Sequence, residues 1–253
     1  MAAPAVSCFA VPGVPAVQPG DDLAALLGAA LRSADVAVQP RDVIAVCQKV
    51  VSKAEGRIVD LATVTPSEFA RTIAAGTDKD PRVVEVILRE STRIVKMAGG
   101  HLICETGPGW ICANAGIDES NAVRPDSVTL LPRDADASAE RLRAALGAAL
   151  GVDPIGVVVT DTFGRPWRDG LVDVALGVAG IGALLDYRGA TDMGGRELHH
   201  TMLALGDEIA AAAGLLMDKG AGIAAVVVRG APWNRTQGRG RDLIRPPALD
   251  LFR

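Results

Sequence analysis

The chain has 253 residues, 49% of them apolar but only 3% aromatic, and a formal net charge of −4. That length can bury a sizeable core, which must be built mainly of Ala, Val, Leu and Ile. The mild acidity and the lack of a basic block argue against a nucleic-acid or anionic-membrane surface. No stretch reaches about 18 uninterrupted apolar residues, so no membrane span is expected.

The apolar segment Met1 to Val17 has no Lys or Arg and is broken by Pro4, Pro12 and Pro15, so it does not read as a signal peptide. Cys8, Cys47, Cys104 and Cys112 form no CxxC pair and are read as free thiols in a reducing cytoplasm, although Cys104 and Cys112 could face each other across a Gly-Pro-Gly turn. In chain order, Val6 to Val11 predicts a short strand, followed by the turn Pro12-Gly13-Val14-Pro15. Asp21-Asp22 caps a helix carrying Leu23, Leu26, Leu27 and Leu31 on one face. Asp42 to Cys47 is a buried strand that runs into a polar stretch, Gln48 to Gly56, with Lys49, Lys53 and Glu55. Those lysines can reach a phosphate, but by themselves they read first as a solvated strand end.

Thr65-Pro66-Ser67-Glu68 predicts a helix start with Thr65 as N-cap, and Asp80-Pro81 predicts a second. Arg93 to Met97, His101 to Glu105 and Trp110 to Ala113 read as strands, the last two joined by Gly107-Pro108-Gly109 as a hairpin. Asn114 to Asn121 is irregular, with Asp118 and Glu119 close together; alone it reads first as a capped turn and second as a site. Val128 to Leu131 predicts a strand, and Asp136 caps an Ala-rich helix from Ala137 to about Leu150, with Gly151 just past its end.

The stretch Ile155 to Gly170 combines the most chemistry. Ile155, Val157, Val158 and Val159 form a buried strand that delivers Asp161 and Thr162, and a Gly-Arg-Pro-Trp-Arg loop follows with Arg165 and Arg168. A carboxylate, a hydroxyl and two guanidiniums suit an oxyanion ligand and a metal; the same residues also fit a strand-to-loop corner with solvated arginines. Leu171 to Ile181 alternates as a strand, Asp186 to Glu197 is a polar Gly-rich loop, a helix runs from about Leu205, and Ile223 to Val228 is a last buried strand. The tail, Ala231 to Arg253, is expected to wrap the surface or remain partly mobile. Strands and helices mix without regular alternation, which favours an α+β fold over a doubly wound sheet.

No P-loop, dinucleotide fingerprint, HExxH or GxSxG pattern is present, and His199 and His200 are adjacent, about 100° apart on a helix. What remains is rich in oxygen, around Asp118, Asn121, Asp161, Thr162 and the Asp186 to Glu197 loop, and suits Mg²⁺ or Mn²⁺ rather than Zn²⁺. Chemistry alone thus points to a metal-dependent enzyme acting on a phosphorylated or multiply anionic substrate.

Six blocks occur in a fixed order: GVP at 13–15, QKVVSKAEGRIV at 48–59, CANAGIDESN at 112–121, DTFGRPWRDG at 161–170, YRGATDMGGREL at 187–198 and GDEIAAAAGLLM at 206–217. Together they resemble the coenzyme F-420-0:γ-glutamyl ligase family, over roughly Val11 to Gly230. The resemblance implies one ligase domain over 1–230 with a tail over 231–253, and an intertwined α+β homodimer with mixed sheets and packed helices. It implies a reaction that uses GTP and a divalent metal, at two sites, to join L-glutamate to the carboxylate of a deazaflavin precursor through an acyl phosphate, with further γ-linked additions. By resemblance, Asp118 and Asp161 are ligands of one metal and Thr162 of a second. Gly13, Val14, Pro15, Gln48, Lys53 and Asn121 would contact GTP, as would Leu215, Leu216, Met217, Asp218, Lys219, Gly220, Ala221 and Gly222. The catalytic clamps Arg165 and Arg168 are inferred from their placement. Two departures stand out: Lys219 occupies a position where many members carry a Glu or Gln metal ligand, and the reductase-like domain of some relatives is not expected here. Trp110, Trp167, Tyr187 and Trp233 are the aromatic candidates for stacking on the deazaflavin. A non-catalytic deazaflavin or nucleotide binder of the same fold is the competing reading, and a flavin-type oxidoreductase is weakened by the missing fingerprint.

Overall fold

A computed structural model describes residues 3–120, 125–217, 220 and 222–250. Strand β1 (Ser7–Val11) leads to helix α1 (Leu23–Ser33), which begins at Asp22, whose carboxylate accepts from the Ala25 N–H at 3.0 Å. Strand β2 (Val43–Cys47) runs directly into helix α2 (Gln48–Ala54), where only an irregular polar stretch was expected. The helix forms because Gln48, Val51 and Ser52, three and four residues apart, share one inward face. Strand β3 (Ile58–Asp60) follows.

Helix α3 (Glu68–Ala75) is capped by Ser67 and not by Thr65. Glu85 of the next helix accepts from both the N–H and the hydroxyl of Ser67, and this remote contact sets the start. Helix α4 (Pro81–Arg89) begins at Asp80 as expected. Strands β4 (Ser91–Ala98), β5 (His101–Thr106) and β6 (Ile111–Ala113) form an antiparallel sheet, and β7 (Ser127–Thr129) pairs with β3. Helix α5 (Ala135–Leu150) is capped by Asp134 rather than Asp136, and Gly151 ends it in the left-handed region at φ +66°. Asp136 instead accepts from the backbone N–H groups of Val178 and Gly240.

Strand β8 (Gly156–Arg165) continues through the expected Gly-Arg-Pro-Trp-Arg loop, leaving only Pro166 and Trp167 to turn into β9 (Arg168–Ala179). The short pair β10 (Leu185–Asp186) and β11 (Met202–Leu203) precedes helix α6 (Leu205–Gly214) and strand β12 (Ala225–Arg229). The described part of the tail is docked: Trp233 is 1% exposed and the Gly238 N–H donates to Ile181 O.

The main sheet runs β1-β12-β2-β8-β9, antiparallel except for the parallel pair β2–β8. Alternation along its strands separates two cores. Ile44, Val46, Val157, Val159 and Val227 pack under α1 and α5, while Val43, Ala45, Val158, Val226 and Val228 face α6 and Trp233. A third core lies between α3, α4 and the smaller sheets. One end of the main sheet is closed: Arg229 donates to both oxygens of the buried Asp42, at 2.9 and 2.8 Å, and lies over the Phe9 ring. Among the described residues no helix is long and apolar enough to cross a membrane.

Candidate functional site

The opposite end of the sheet is open. The parallel pair β2–β8 ends at Cys47 and Thr160, and the antiparallel neighbours bring Val11 and Ala225 to the same level. Segments leaving these strands therefore meet: residues 14–17, helix α2, residues 160–164 and residues 222–224. Together with residues 112–114, 116–118, Ser120 and Met217 they line a cavity of about 720 Å³. Ligand sites at the carboxyl ends of parallel strands are the general expectation for such sheets.

A bulge in the β8–β9 ladder between Val159 and Thr160 re-aims the strand as it enters the cavity. Asp161 follows. Burial pushes its carboxyl up to about 7, with Asp118 and Asp173 adding like charge, while the Thr162 N–H and the Gln48 side chain oppose the shift. The Ser52 hydroxyl donates to Gln48 Oε1 at 2.8 Å, which leaves the Gln48 amide nitrogen to donate to Asp161. Thr162 donates to Asp173 Oδ1 at 2.7 Å across the ladder.

Asp118 is held from the other side. Its backbone exchanges two hydrogen bonds with Thr129, both at 2.9 Å, and its carboxylate takes an ion pair from Lys49 at 2.5 Å and the Ser120 N–H at 2.6 Å. Burial would push Asp118 up, but these donors outweigh it and hold the carboxyl below its usual range. Lys53 lines the same cavity and is lowered by burial and by Lys49. Burial pushes the thiols of Cys47 and Cys112, also at this cavity, up to about 11 and about 12, so neither is a nucleophile at neutral pH.

The structure brings together Val14, Pro15, Gln48, Lys53, Asp118, Asp161, Thr162, Met217 and Gly222. Asn121, Asp218, Lys219 and Ala221 lie outside the described residues. Gly13 holds the turn before Val14 at φ +82°, Leu216 packs against the α6 core, Leu215 is exposed, and Gly220 sits in a turn. Arg165 and Arg168 do not line the cavity: they face each other at the far end of the β8–β9 ribbon, where Arg165 Nη2 donates to Asp169 O. Trp233, named for stacking, is buried under Arg41. Sequence reasoning left Asp173 out of the site and took Lys49 no further than a lysine able to reach a phosphate. Asp173 looked like the polar half of an alternating strand, and only its register opposite Thr162 reveals its place.

Three carboxylates and a hydroxyl against two ammonium groups leave an oxygen-rich cavity with a cation deficit, a donor set that fits Mg²⁺ or Mn²⁺. Among the described residues no three His, Cys, Asp or Glu side chains form a ready-made cluster; Asp118 and Asp161 approach from separate elements.

A model of the family described as F420-0:Gamma-glutamyl ligase matches residues 13–230. A protein named Coenzyme F420:L-glutamate ligase from Methanothermobacter thermautotrophicus is 44% identical over 251 residues, 98% of this chain and 99% of its own length. Proteins of the same name from Methanopyrus kandleri and Archaeoglobus fulgidus are 48% and 44% identical, over 94% and 89% of this chain and 93% and 88% of their own. A match of this extent, on a chain whose open sheet end gathers the residues described above, places the protein in the F420-0:gamma-glutamyl ligase family.

Proposed function

We propose that this chain joins L-glutamate, once and then through γ-linkages, to the carboxylate of a deazaflavin coenzyme F420 precursor, driven by GTP. The observation that supports this reading most is the convergence of Asp118, Asp161, Thr162, Gln48 and Lys53 on one cavity. A carboxylate is a poor acyl donor. Its oxygen attacks the γ-phosphorus of GTP and GDP leaves; the glutamate amine then displaces phosphate at the acyl carbon and loses a proton. Lys53 supplies a point charge for the nucleotide phosphates, and the backbone at Val14–Pro15 and Gly222 borders the nucleotide. Asp118, Asp161 and Thr162 would hold divalent cations, which supply charge neutralisation for the transferring phosphoryl group.

Two chains are proposed to associate as a homodimer, because beyond Thr160 the β8–β9 ribbon leaves its outer edges unpaired among the described residues and exposes Trp167 and Leu171. Light scattering giving the mass of a single chain at micromolar concentration would refute that.

The function is tested with Asp161→Asn. Purified protein given precursor, GTP, Mn²⁺ and L-glutamate should yield products heavier by glutamyl units. The variant should lose at least about a hundredfold in rate, as expected for removing preorganised transition-state electrostatics. Parent protein that binds GTP in calorimetry yet forms no product would favour the non-catalytic binder.

A further inference from the structure

A second cavity, of about 440 Å³, lies between helix α4, the turn joining β5 to β6, and the segment leading into α5. Its charged lining consists of Arg57, Arg89 and Arg133 against the single carboxylate of Glu90, and Trp110 forms an apolar wall. This net positive lining occurs on a chain of net charge −4. The guanidiniums differ in availability. Arg57, 13% exposed, is fixed by Glu90 at 2.7 Å and by Leu131 O at 2.9 Å. Arg89 reaches Glu85 at 3.1 Å. Arg133 is exposed and makes no ion pair among the described residues.

The two cavities share a thin wall. Ala115 lines the second, while its neighbours Asn114 and Gly116 line the first. Trp110 of the second cavity and Phe163 of the first both pack on the cluster of Leu131, Ala135 and Leu176. The wall has no slack, since a Cβ on Gly116 would sit 2.6 Å from the Leu131 side chain. The charges are also opposed: Asp118, Asp161 and Asp173 outnumber Lys49 and Lys53 in the first cavity, whereas cations dominate the second.

Each glutamate is joined through its amine, which consumes one acceptor carboxylate and brings two, so the acceptor gains one negative charge with every addition. Among side chains, the first cavity offers that charge two ammoniums that already face three carboxylates, whereas the second offers three guanidiniums against one carboxylate. Resting on the ligase reading above, we propose that the second cavity binds the acceptor's carboxylate-bearing tail, an oligocarboxylate chain, with Arg133 as the available bidentate partner and Arg57 as the fixed one.

The probe is γ-linked triglutamate, titrated calorimetrically into the full chain. Binding should weaken about fivefold in Arg133→Ala, as for loss of one solvent-exposed ion pair, and become undetectable in Arg133→Glu, with partial recovery in Arg133→Lys. In turnover, Arg133→Ala should raise KM for a mono-glutamylated acceptor about fivefold and leave kcat for the first addition unchanged. Triglutamate that fails to bind the parent chain, or that binds Arg133→Glu with parental affinity, overturns the proposal. The ligase reading fails separately, if the parent chain forms no glutamyl product; the triglutamate titration does not depend on that result.

Discussion

Replacing Asp136 by alanine removes the carboxylate that joins α5, β9 and the tail. Its Oδ1 accepts from the Val178 N–H at 2.9 Å and the Gly240 N–H at 2.5 Å, and Arg241 lies 3.6 Å from Oδ2. Each orphaned donor costs about 1–3 kcal/mol when it stays dry. Asp136 and Val178 border a cavity of about 570 Å³, so water can reach the site and the lower figure applies, about 1 kcal/mol for each donor. The Arg241 pair is half-exposed and adds at most about 0.5 kcal/mol. The expected loss is about 2–3 kcal/mol, or about 5–10 °C in Tm for a chain of this size. Asp136→Asn keeps an acceptor oxygen and should lose about half as much. Urea denaturation followed by the fluorescence of the buried tail residue Trp233 measures both variants. If Asp136→Ala lies within about 0.5 kcal/mol of the parent, or matches Asp136→Asn, the two backbone contacts do not hold the tail as described.

Burial pushes the Asp207 carboxyl up, against the hydrogen bond from the Ala175 N–H. A carboxyl raised in the folded state contributes stability that is present below the ordinary carboxylate range and lost as pH rises through its folded value. Asp207→Asn keeps the acceptor and drops that dependence, so it should gain on the parent from about pH 4 towards neutrality in urea melts; a constant difference refutes the account. A Cβ at Gly177 would lie 2.1 Å from Ala135 O, a backbone atom that cannot turn aside, so Gly177→Ala should lose at least about 3 kcal/mol or fail to fold. At Gly164 the nearest atom is the end of Leu171 at 3.9 Å, and Gly164→Ala should melt with the parent; equal stability of both variants would show that β9 does not press on α5.

What could be read along the chain is what local chemistry decides. Strands β2, β8 and β12 declare themselves through runs of Val, Ile and Ala buried on both faces, and Asp80-Pro81 names its own helix start. The misses all turn on remote partners. Asp134 and Asp136 are equally good caps by type, and only the distant Val178 and Gly240 claim the second. Gln48 and Ser52 look like loop residues until Asp161 gives them a reason to be buried. Asp161 was visible because a carboxylate at the end of a valine run is out of place there. Arg165 is near it in sequence only: four residues of extended chain carry it about 13 Å away. Lys49 was hidden by its likeness to any solvated lysine, and Asp118 supplies the missing context.

The clasp of Arg229 on Asp42 lies at the end of the sheet away from the cavity. The groups that lock the strands together and the groups that meet ligands thus occupy separate poles of one framework. Substitutions at the open pole can alter what the cavity binds while the closed pole still specifies the fold. Such a separation gives the scaffold room to drift in specificity without passing through unfolded ancestors.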